Sequence, residues 1–381
     1  MGRDFRGPQR VSRPKRNIAS LQHSLMENLV SVIIPNRNGA TTIGKCLEAA
    51  LASRHANFEV IVVDDDSQDN SISVIAQYPC KLLRLSQHGG AALARNLGAQ
   101  HARGAILFFT DADCLLQDDT LSLAVGTLAA ENPGAKVHCA INGAWIVGGT
   151  YTLAPYDRRF CSRFQSVFIN YFETRHAPAA DYIATHALAM DADSFRRHRG
   201  FAQGPLPILE DVEFSHRLRR AGCRLVMNPA IQVQHIFDHS LLRSLRNAFI
   251  KSMYWTGYAI GNRDLLADSG TASLGLKLNV CVSVFNGLML TGYLLSAKME
   301  FLVLMSLALA FNLFVNRGLL LAFQRAEGLG FAVRAALYYL LLYPVAVAAG
   351  AGAGLMLYFR NPGQFRGNAD DGRTNEAGLL R

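Results

Sequence analysis

The sequence has few of the features that mark disulfide-rich or zinc-binding proteins. Its seven cysteines are an odd number, and they form no Cys-x-x-Cys pair and no cluster with histidines. This distribution disfavours a disulfide framework and a structural zinc site. We therefore expect reduced thiols, as in a cytosolic environment.

Charged side chains are also scarce, at 18% of the 381 residues, whereas half of the residues are hydrophobic. The net charge of +9 does not come from a basic stripe interleaved with aromatic residues, so a nucleic acid is not the expected partner. The basic residues concentrate in an N-terminal tail, residues 1–27, and around apolar segments, which is typical of a chain at a membrane surface. The tail lacks the apolar region of a signal peptide, so we expect no cleavable signal and a disordered tail.

Short apolar runs alternate with helical patterns up to about residue 240. The predicted strands are LVSVIIP, FEVIVVDDD, CKLLRLS and AILFFTDAD, and the helical candidates between them include TTIGKCLEAALAS and AALARNLGAQHA. Strands and helices that alternate in this way predict βαβ units and a mostly parallel sheet. We therefore predict one α/β domain over residues 28–239.

The pattern becomes membrane-like after residue 270. Residues 271–360 contain apolar segments near 274–297, 301–323 and 331–359, each close to the ~20 residues that cross a bilayer. Asn316 and Arg317 interrupt the second segment, so two to three transmembrane helices are expected; a soluble hydrophobic core is the alternative. Residues 240–270 predict an amphipathic interfacial helix and linker, or else a helix packed on the protein's own sheet. Residues 361–381 form a polar tail.

Polar residues follow the predicted strands at the edge where ligands bind in open α/β sheets. Pro35 and Arg37 follow the first strand, Asp64 and Asp65 end the second, and an Asp-x-Asp pair ends ILFFTDADC. Residues two apart in an extended segment point the same way, so the pair, Asp111 and Asp113, can face one point. Two carboxylates held together favour a cation between them, and Mg²⁺ or Mn²⁺ suits such oxygen ligands.

Several motifs together resemble family-2 glycosyltransferases of the GT-A fold with C-terminal transmembrane helices. They are VSVIIPNRN, VIVVDDDSQDNS, GGAALARNLGA, FFTDADC, GFAQGPLPILEDVEFSHRLRRAG and VQHIF, in the family's order between about residues 29 and 237. The resemblance implies a Rossmann-like catalytic domain that binds a nucleotide sugar. The Q-x-x-R-W signature of processive members is absent, which favours transfer of a single sugar.

The resemblance also implies roles for individual residues. Asp65, with Asp64 beside it, would bind the nucleotide base or ribose, and Arg95 would lie near the base and phosphates. Asp113 would bind the metal, and Asp111 the ribose or the metal. The remaining donor-binding and metal-binding candidates are Pro35, Arg37 and His235.

The acidic pair in LEDVEF provides the candidates for catalysis. Asp211 matches the catalytic base of inverting members, and Glu210 precedes it. A carboxylate can take the proton of an attacking hydroxyl, but acidic residues in the first turn of a helix can also simply stabilise that helix. If the acceptor were a polyprenyl phosphate, its nucleophile would already be ionised, and Asp211 would have another role.

The sequence therefore predicts a membrane-anchored, metal-dependent, inverting glycosyltransferase. It would use a UDP- or GDP-linked sugar, with Mg²⁺ or Mn²⁺, and a membrane lipid or lipid-linked glycan as acceptor. We expect an integral protein of the cell inner or plasma membrane with its catalytic domain in the cytoplasm. The alternatives are a nucleotidyltransferase, which should carry a glycine-rich basic loop after the first strand, and a non-catalytic membrane scaffold or export component.

Overall fold

The computed structural model describes residues 29–131, 145–204 and 207–365. The predicted N-terminal tail and residues 366–381 of the predicted polar tail lie outside the described residues.

A single eight-stranded sheet organises the N-terminal domain, with the strand order β3-β2-β1-β4-β7-β6-β8-β5. Strands β1 to β4 pair in parallel, β6 pairs with β8 in parallel, and β7 and β5 run antiparallel to their neighbours. The strands are β1 (Val30–Asn36), β2 (Phe58–Asp64), β3 (Lys81–Arg84), β4 (Ile106–Phe109), β5 (Cys114–Leu116), β6 (Trp145–Tyr151), β7 (Leu188–Asp191) and β8 (Arg224–His235). The predicted α/β fold class is confirmed, and four of the seven strand pairings in the sheet are parallel.

Helices cover both faces of this sheet. They are α1 (Ile43–Leu51), α2 (Ser71–Ile75), α3 (Ala91–Gln100), α4 (Thr120–Glu131), α5 (Phe160–Thr174), α6 (Ala192–Arg197) and α7 (Glu210–Arg220). In β1, Val32 and Ile34 join the core on one face and Ile33 joins the core on the other, and all three are fully buried. Burial on both faces explains the continuous apolar runs in the sequence.

Helices make up most of residues 241–365, the described C-terminal part. They are α8 (Leu241–Asn262), α9 (Leu274–Ser296), α10 (Met299–Val315), α11 (Arg317–Glu327), α12 (Leu329–Leu337) and α13 (Tyr343–Arg360), with a π-helical turn at Tyr338–Leu342. Within the described residues, Leu274–Ser296 and Leu329–Arg360 are long and apolar enough to cross a membrane. The bent pair α10 and α11 would be a third only if it formed one span.

The break between α10 and α11 falls at the polar residues that interrupt the predicted second segment. The two helices are bent by 62°. The side-chain amide of Asn316 donates to the backbone oxygen and to Oδ1 of Asn312, at 3.0 and 2.8 Å. Asn312 in turn donates to Asn279 Oδ1 of α9 at 2.7 Å. These buried amides satisfy one another, which is how polar residues are tolerated inside an apolar helical region.

Helix α8 lies between the N-terminal domain and α13. On the domain side, Tyr258 is hydrogen-bonded to His216 of α7, and Trp255 lies 6.0 Å from Tyr182 between ring centres. On the other side, a Cβ added to Gly350 or Gly354 of α13 would lie 2.3 or 2.2 Å from backbone oxygens of α8. The glycines therefore allow the backbones of the two helices to touch, as in small-xxx-small contacts.

Candidate active site

An open cleft of about 1240 Å³ lies at the carboxyl ends of β1, β2 and β4, and residues of α8 line one side of it. Of the residues singled out from the sequence, those that line it are Pro35, Arg37, Asp65, Arg95, Asp111, Asp113, Glu210 and His235. Asp64 and Asp211 are not among the lining residues. The structure thus brings together side chains that are up to 200 positions apart in the chain.

The two adjacent aspartates after β2 have different environments. Asp64 is buried and accepts hydrogen bonds from Asn36 Nδ2 at 2.9 Å, and from the backbone amide and hydroxyl of Ser67 at 3.1 and 2.6 Å. These bonds hold the turn after β2, and they leave Asp64 away from the cleft. Asp65 faces the cleft, so it is the residue of the pair that can contact a ligand there.

A short loop before α3 supports the Asp65 carboxylate. The backbone amides of Gly89 and Gly90 donate to Asp65 at 2.7 and 3.0 Å, and His88 Nδ1 lies 2.8 Å from Asp65 Oδ2. The imidazole is half exposed and lines the cleft. Sequence reasoning missed His88, since a lone histidine beside two glycines reads as a turn and its partner is distant in the chain.

Arg95 of α3 connects the two acidic motifs. Its Nη2 lies 2.6 Å from Asp111 Oδ1 and its Nη1 lies 2.6 Å from Glu210 Oε1. Burial by itself would raise the pKa of Asp111, but the charge and hydrogen bond of Arg95 outweigh it and lower that pKa. Arg95 therefore holds Asp111 ionised and fixes the start of α7 next to the Asp-x-Asp turn.

Asp113 and His235 form the best candidate for a metal site in the described part of the chain. His235 Nε2 lies 3.4 Å from Asp113 Oδ1, and ligand atoms of Asp113, Cys114 and His235 lie within 4.8 Å of one another. The pairing of β5 with β8 places Cys114 opposite His235. The predicted ligands Asp113 and His235 are thus adjacent, whereas Asp111, whose Oδ1 is bound by Arg95, is outside this group.

The donor set fits a hard divalent cation. Burial, and then the neighbouring charge of Asp111, raise the pKa of Asp113. A bound cation would offset the cost of keeping this carboxylate ionised beside Asp111. Burial lowers the pKa of His235 to about 3, which keeps its imidazole neutral and able to bind a metal. The buried Nδ1 atom of His235 has no hydrogen-bond partner among the described residues. Burial also raises the pKa of the Cys114 thiol well above its ordinary value, so the thiol stays protonated and the oxygen and nitrogen ligands dominate.

Aromatic rings support the histidines of the site. His235 stacks on Phe237 with 3.9 Å between ring centres, and Tyr151 contacts its edge at 5.0 Å. On the other side Tyr151 stacks on His186 at 4.1 Å, and His186 Nε2 lies 3.4 Å from Glu173 Oε2. His186 and Glu173 are almost completely buried, so His186 supports the ring of Tyr151 and does not reach the cleft.

Asp211 lies at the start of α7, half-buried next to Glu210. Its Oδ1 accepts a hydrogen bond from the amide of Val212 at 2.8 Å. Burial, followed by the charge of Glu210, raises the pKa of Asp211 to about 6. Glu210 lines the cleft itself but has one oxygen bound by Arg95.

Two basic residues of α8, Arg243 and Lys251, also line the cleft. From the sequence they read as the polar face of an amphipathic helix, and nothing in the pattern indicated that this face closes a binding site. That information comes only from the packing of α8 on the domain.

Comparisons with known proteins agree with this arrangement. Residues 31–170 match the family model described as glycosyl transferase family 2. The chain is 36% identical over 107 residues to glycosyltransferase AglE of Haloferax volcanii, covering 26% of this chain and 35% of the relative. It is 33% identical over 107 residues to the UDP-Glc:alpha-D-GlcNAc-diphosphoundecaprenol beta-1,3-glucosyltransferase WfgD of Escherichia coli, covering 27% and 42% of the two chains. The matches span about two fifths or less of these relatives' lengths.

A solved structure shares the fold over most of the chain. The mannosyltransferase PcManGT from Pyrobaculum calidifontis, in complex with GDP-Man and Mn²⁺, superposes with a TM-score of 0.50 at 19% identity, over 86% of each chain. This likeness confirms the predicted GT-A fold.

Proposed function

We propose that this chain, which carries a family-2 glycosyltransferase domain of the GT-A fold, transfers one sugar from a nucleotide-sugar donor to a lipid-linked acceptor. The observation that carries the proposal is the convergence of Asp65, the Arg95–Asp111 pair and the Asp113–His235 pair in one cleft. The name of the relative WfgD describes a sugar transfer to a diphosphate-linked lipid, which supports the acceptor class.

The nucleoside part of the donor would bind at the end of β2. The Asp65 carboxylate lies at the cleft wall, and the amides of Gly89 and Gly90 fix its orientation. Pro35 and Arg37 extend this wall from the end of β1. A carboxylate held in this way can accept hydrogen bonds from a base or a ribose, while Asp64 supports the turn from behind.

A divalent cation, Mg²⁺ or Mn²⁺, would be held by Asp113 and His235, with the second oxygen of Asp111 close to the same turn. When bound, such an ion stabilises the negative charge that develops on a leaving diphosphate. Arg95 would keep Asp111 ionised and in place throughout the reaction. Its Nη2 atom binds Asp111, and its Nη1 atom is fixed by Glu210.

Asp211 is the proposed general base for an inverting transfer. A pKa of about 6 places this carboxyl close to the pH of a cytosol, where a base is most effective. Glu210 is a weaker candidate because Arg95 binds one of its oxygens at 2.6 Å. In this mechanism Asp211 accepts the proton of the acceptor hydroxyl as that oxygen attacks the anomeric carbon opposite the departing diphosphate.

Membrane attachment would come from the C-terminal helices. Helices α9 and α10 form a hairpin, in which Gly292 packs against Phe301 and large side chains such as Leu295 and Leu307 are exposed. With 23 residues, α9 is about 34 Å long, enough for the ~30 Å core of a bilayer. Leu329–Arg360 is the second candidate span, but its helix α13 packs along α8, which contacts the N-terminal domain, so the hairpin is the part that would cross in this proposal. The catalytic domain would face the cytoplasm, where sugar nucleotides are found.

The proposal is tested by the release of nucleoside diphosphate from a panel of UDP- and GDP-sugars. The full chain, purified in detergent, is assayed with a membrane lipid extract, with Mn²⁺, Mg²⁺ or EDTA. We expect metal-dependent release from one donor, and its loss in Asp113→Asn. Asp118→Asn, which removes an exposed partner of Arg54 and does not line the cleft, is the matched control. Folded protein that binds no sugar nucleotide under any of these conditions would support the scaffold alternative instead.

A further inference from the structure

The cleft has a second cationic group that the donor-binding residues do not include. Arg243 and Lys251 both belong to α8 and both line the cleft with exposed side chains. Within the described residues, neither forms an ion pair with a carboxylate, whereas Arg95 in the same cleft forms two. Two cations that face a cleft without acidic partners are a ready site for an anion.

Arg243 and Lys251 lie at a different part of the sheet from the proposed nucleoside-binding wall. Asp65 follows β2, and α8 follows β8; four strands lie between β2 and β8 in the sheet. The charge of Arg243 acts on Asp113 and that of Lys251 acts on His235, so the two cations lie near the candidate metal ligands. An anion bound there would lie close to the metal site, at the part of the sheet where α8 follows β8.

The same helix forms the boundary with the apolar layer of the molecule. The face of α8 away from the cleft packs on α13, where Gly350 and Gly354 lie against the α8 backbone. The outer face of α13 exposes large apolar side chains, including Met356 and Phe359 at 65% and 72% exposure. Helix α13 therefore separates the cations of α8 from a surface suited to lipid, and this arrangement is compatible with a lipid phosphate group at the level of α8.

We propose that Arg243 and Lys251 bind the phosphate or diphosphate group that joins the acceptor to its lipid. This inference rests on the proposed function and specifies the acceptor: a glycan or alcohol carried on a lipid through a phosphate. About 12 Å of helix separates the two positions, and their flexible side chains can converge on a diphosphate between them. The bound phosphate would hold the acceptor hydroxyl in the cleft near the start of α7, where Glu210 lines the wall and Asp211 follows it.

Tryptophan fluorescence can measure this binding directly. Trp255 lies one turn after Lys251 on α8 and is one of two tryptophans in the chain. The full chain in detergent is first saturated with Mn²⁺ and UDP or GDP, and is then titrated with farnesyl diphosphate. Inorganic pyrophosphate and farnesol serve as probes of the anion alone and the lipid alone.

We expect farnesyl diphosphate to bind to the nucleotide-saturated protein more tightly than either partial probe. Arg243→Gln and Lys251→Gln should each weaken that binding about tenfold or more, the loss expected for one charge-assisted hydrogen bond. Their affinity for the nucleoside diphosphate should stay within a factor of about two, far less than the loss of such a bond. Arg246→Gln, an exposed cation of α8 that does not line the cleft, is the matched control and should bind both ligands as the unaltered chain does.

Three outcomes would overturn the inference. Competition of farnesyl diphosphate with the nucleoside diphosphate for one site, or weaker nucleotide binding in the two variants, would assign the cations to the donor. Equal affinities for pyrophosphate and farnesyl diphosphate would show that the lipid part does not contribute to binding. If no nucleoside diphosphate binds in the first step, it is the proposed function that fails, so the two failures are distinguishable.

Discussion

Arg95 and Asp111 meet at 2.6 Å between Nη2 and Oδ1, although one lies on a helix and the other on the turn after β4. The same guanidinium binds Glu210 at 2.6 Å. A buried arginine between two carboxylates couples the proposed donor-binding turn to the start of α7, which carries Asp211. The proposed donor site and the proposed base therefore depend on one side chain.

Arg95→Met should accordingly destabilise the protein as well as inactivate it. The substitution leaves Asp111 and Glu210 without their partner, and breaking a buried ion pair costs about 3–5 kcal/mol. The control is Arg103→Met, which removes a guanidinium that is 77% exposed and pairs with Glu59; it should cost no more than about 1 kcal/mol. Thermal unfolding in detergent measures both, and similar small shifts for the two variants would contradict the coupling.

The metal site leads to a binding prediction that needs no sugar transfer. Asp113→Asn and His235→Ala should each weaken Mn²⁺ binding in the presence of a nucleoside diphosphate by at least about tenfold, equivalent to 1.4 kcal/mol. Electron paramagnetic resonance of free Mn²⁺ gives the affinity. Cys114→Ser should change it little, because the thiol stays protonated. Unaltered Mn²⁺ binding in both of the first two variants would place the metal elsewhere.

The raised pKa of Asp211 predicts that activity increases with pH, whereas the stability of the fold decreases with pH. A pKa of about 6 means that the base is protonated and inactive below pH 6, so the transfer rate should rise through that pH and then level off. This folded-state pKa lies above the ordinary value, so the protonated form stabilises the fold, and that stabilisation is lost as the pH rises through about 6.

Asp211→Asn should therefore abolish transfer and yet raise the unfolding temperature at pH 8, with a free-energy gain of roughly 1–3 kcal/mol that disappears near pH 4. Glu213→Gln is the control on the same helix, since it removes an acid that pairs with Arg217. Thermal unfolding at the two pH values is the measurement. A loss of stability in Asp211→Asn at both would show that the carboxylate is needed structurally.

The sequence identified the acidic residues of the candidate site better than it predicted the turns and helices that surround them. Asp65, Asp111 and Asp113 follow apolar strands, and that local pattern placed them at one edge of the sheet. Asp64 has the same local pattern as Asp65, and only the turn geometry, with Ser67 and Asn36 as hydrogen-bond donors, separates their environments. The contribution of α8 depends on a contact between distant segments, and an amphipathic pattern alone does not specify which surface the polar face covers.

The α8–α13 contact makes a prediction with an internal control. Gly350→Ala and Gly354→Ala would each place a Cβ 2.3 or 2.2 Å from a backbone oxygen of α8, whereas a Cβ on Gly352 meets nothing within 4 Å. The first two variants should separate the helices, lower the unfolding temperature and reduce transfer, because Arg243 and Lys251 would move. Gly352→Ala should be neutral or stabilising by up to about 1 kcal/mol, from its better helix propensity. Equal effects at all three positions would mean that the helices are not in backbone contact.

The α9–α10 hairpin can be tested for crossing the membrane by labelling its tip. Lys298 and Glu300 are the charged residues at the turn, and most of the side chains near them are exposed and apolar. If the hairpin crosses, a Lys298→Cys thiol in sealed vesicles should react with an impermeant maleimide only from the side opposite the catalytic domain. Arg54→Cys marks the side of the N-terminal domain, because Arg54 is exposed on that domain. Both variants are made in a background in which Cys80, Cys139 and Cys281 are replaced by Ser, because Cys80 and Cys281 are not buried. Labelling of both thiols from the same side would mean that the hairpin lies in one leaflet, and α13 would then have to supply any crossing.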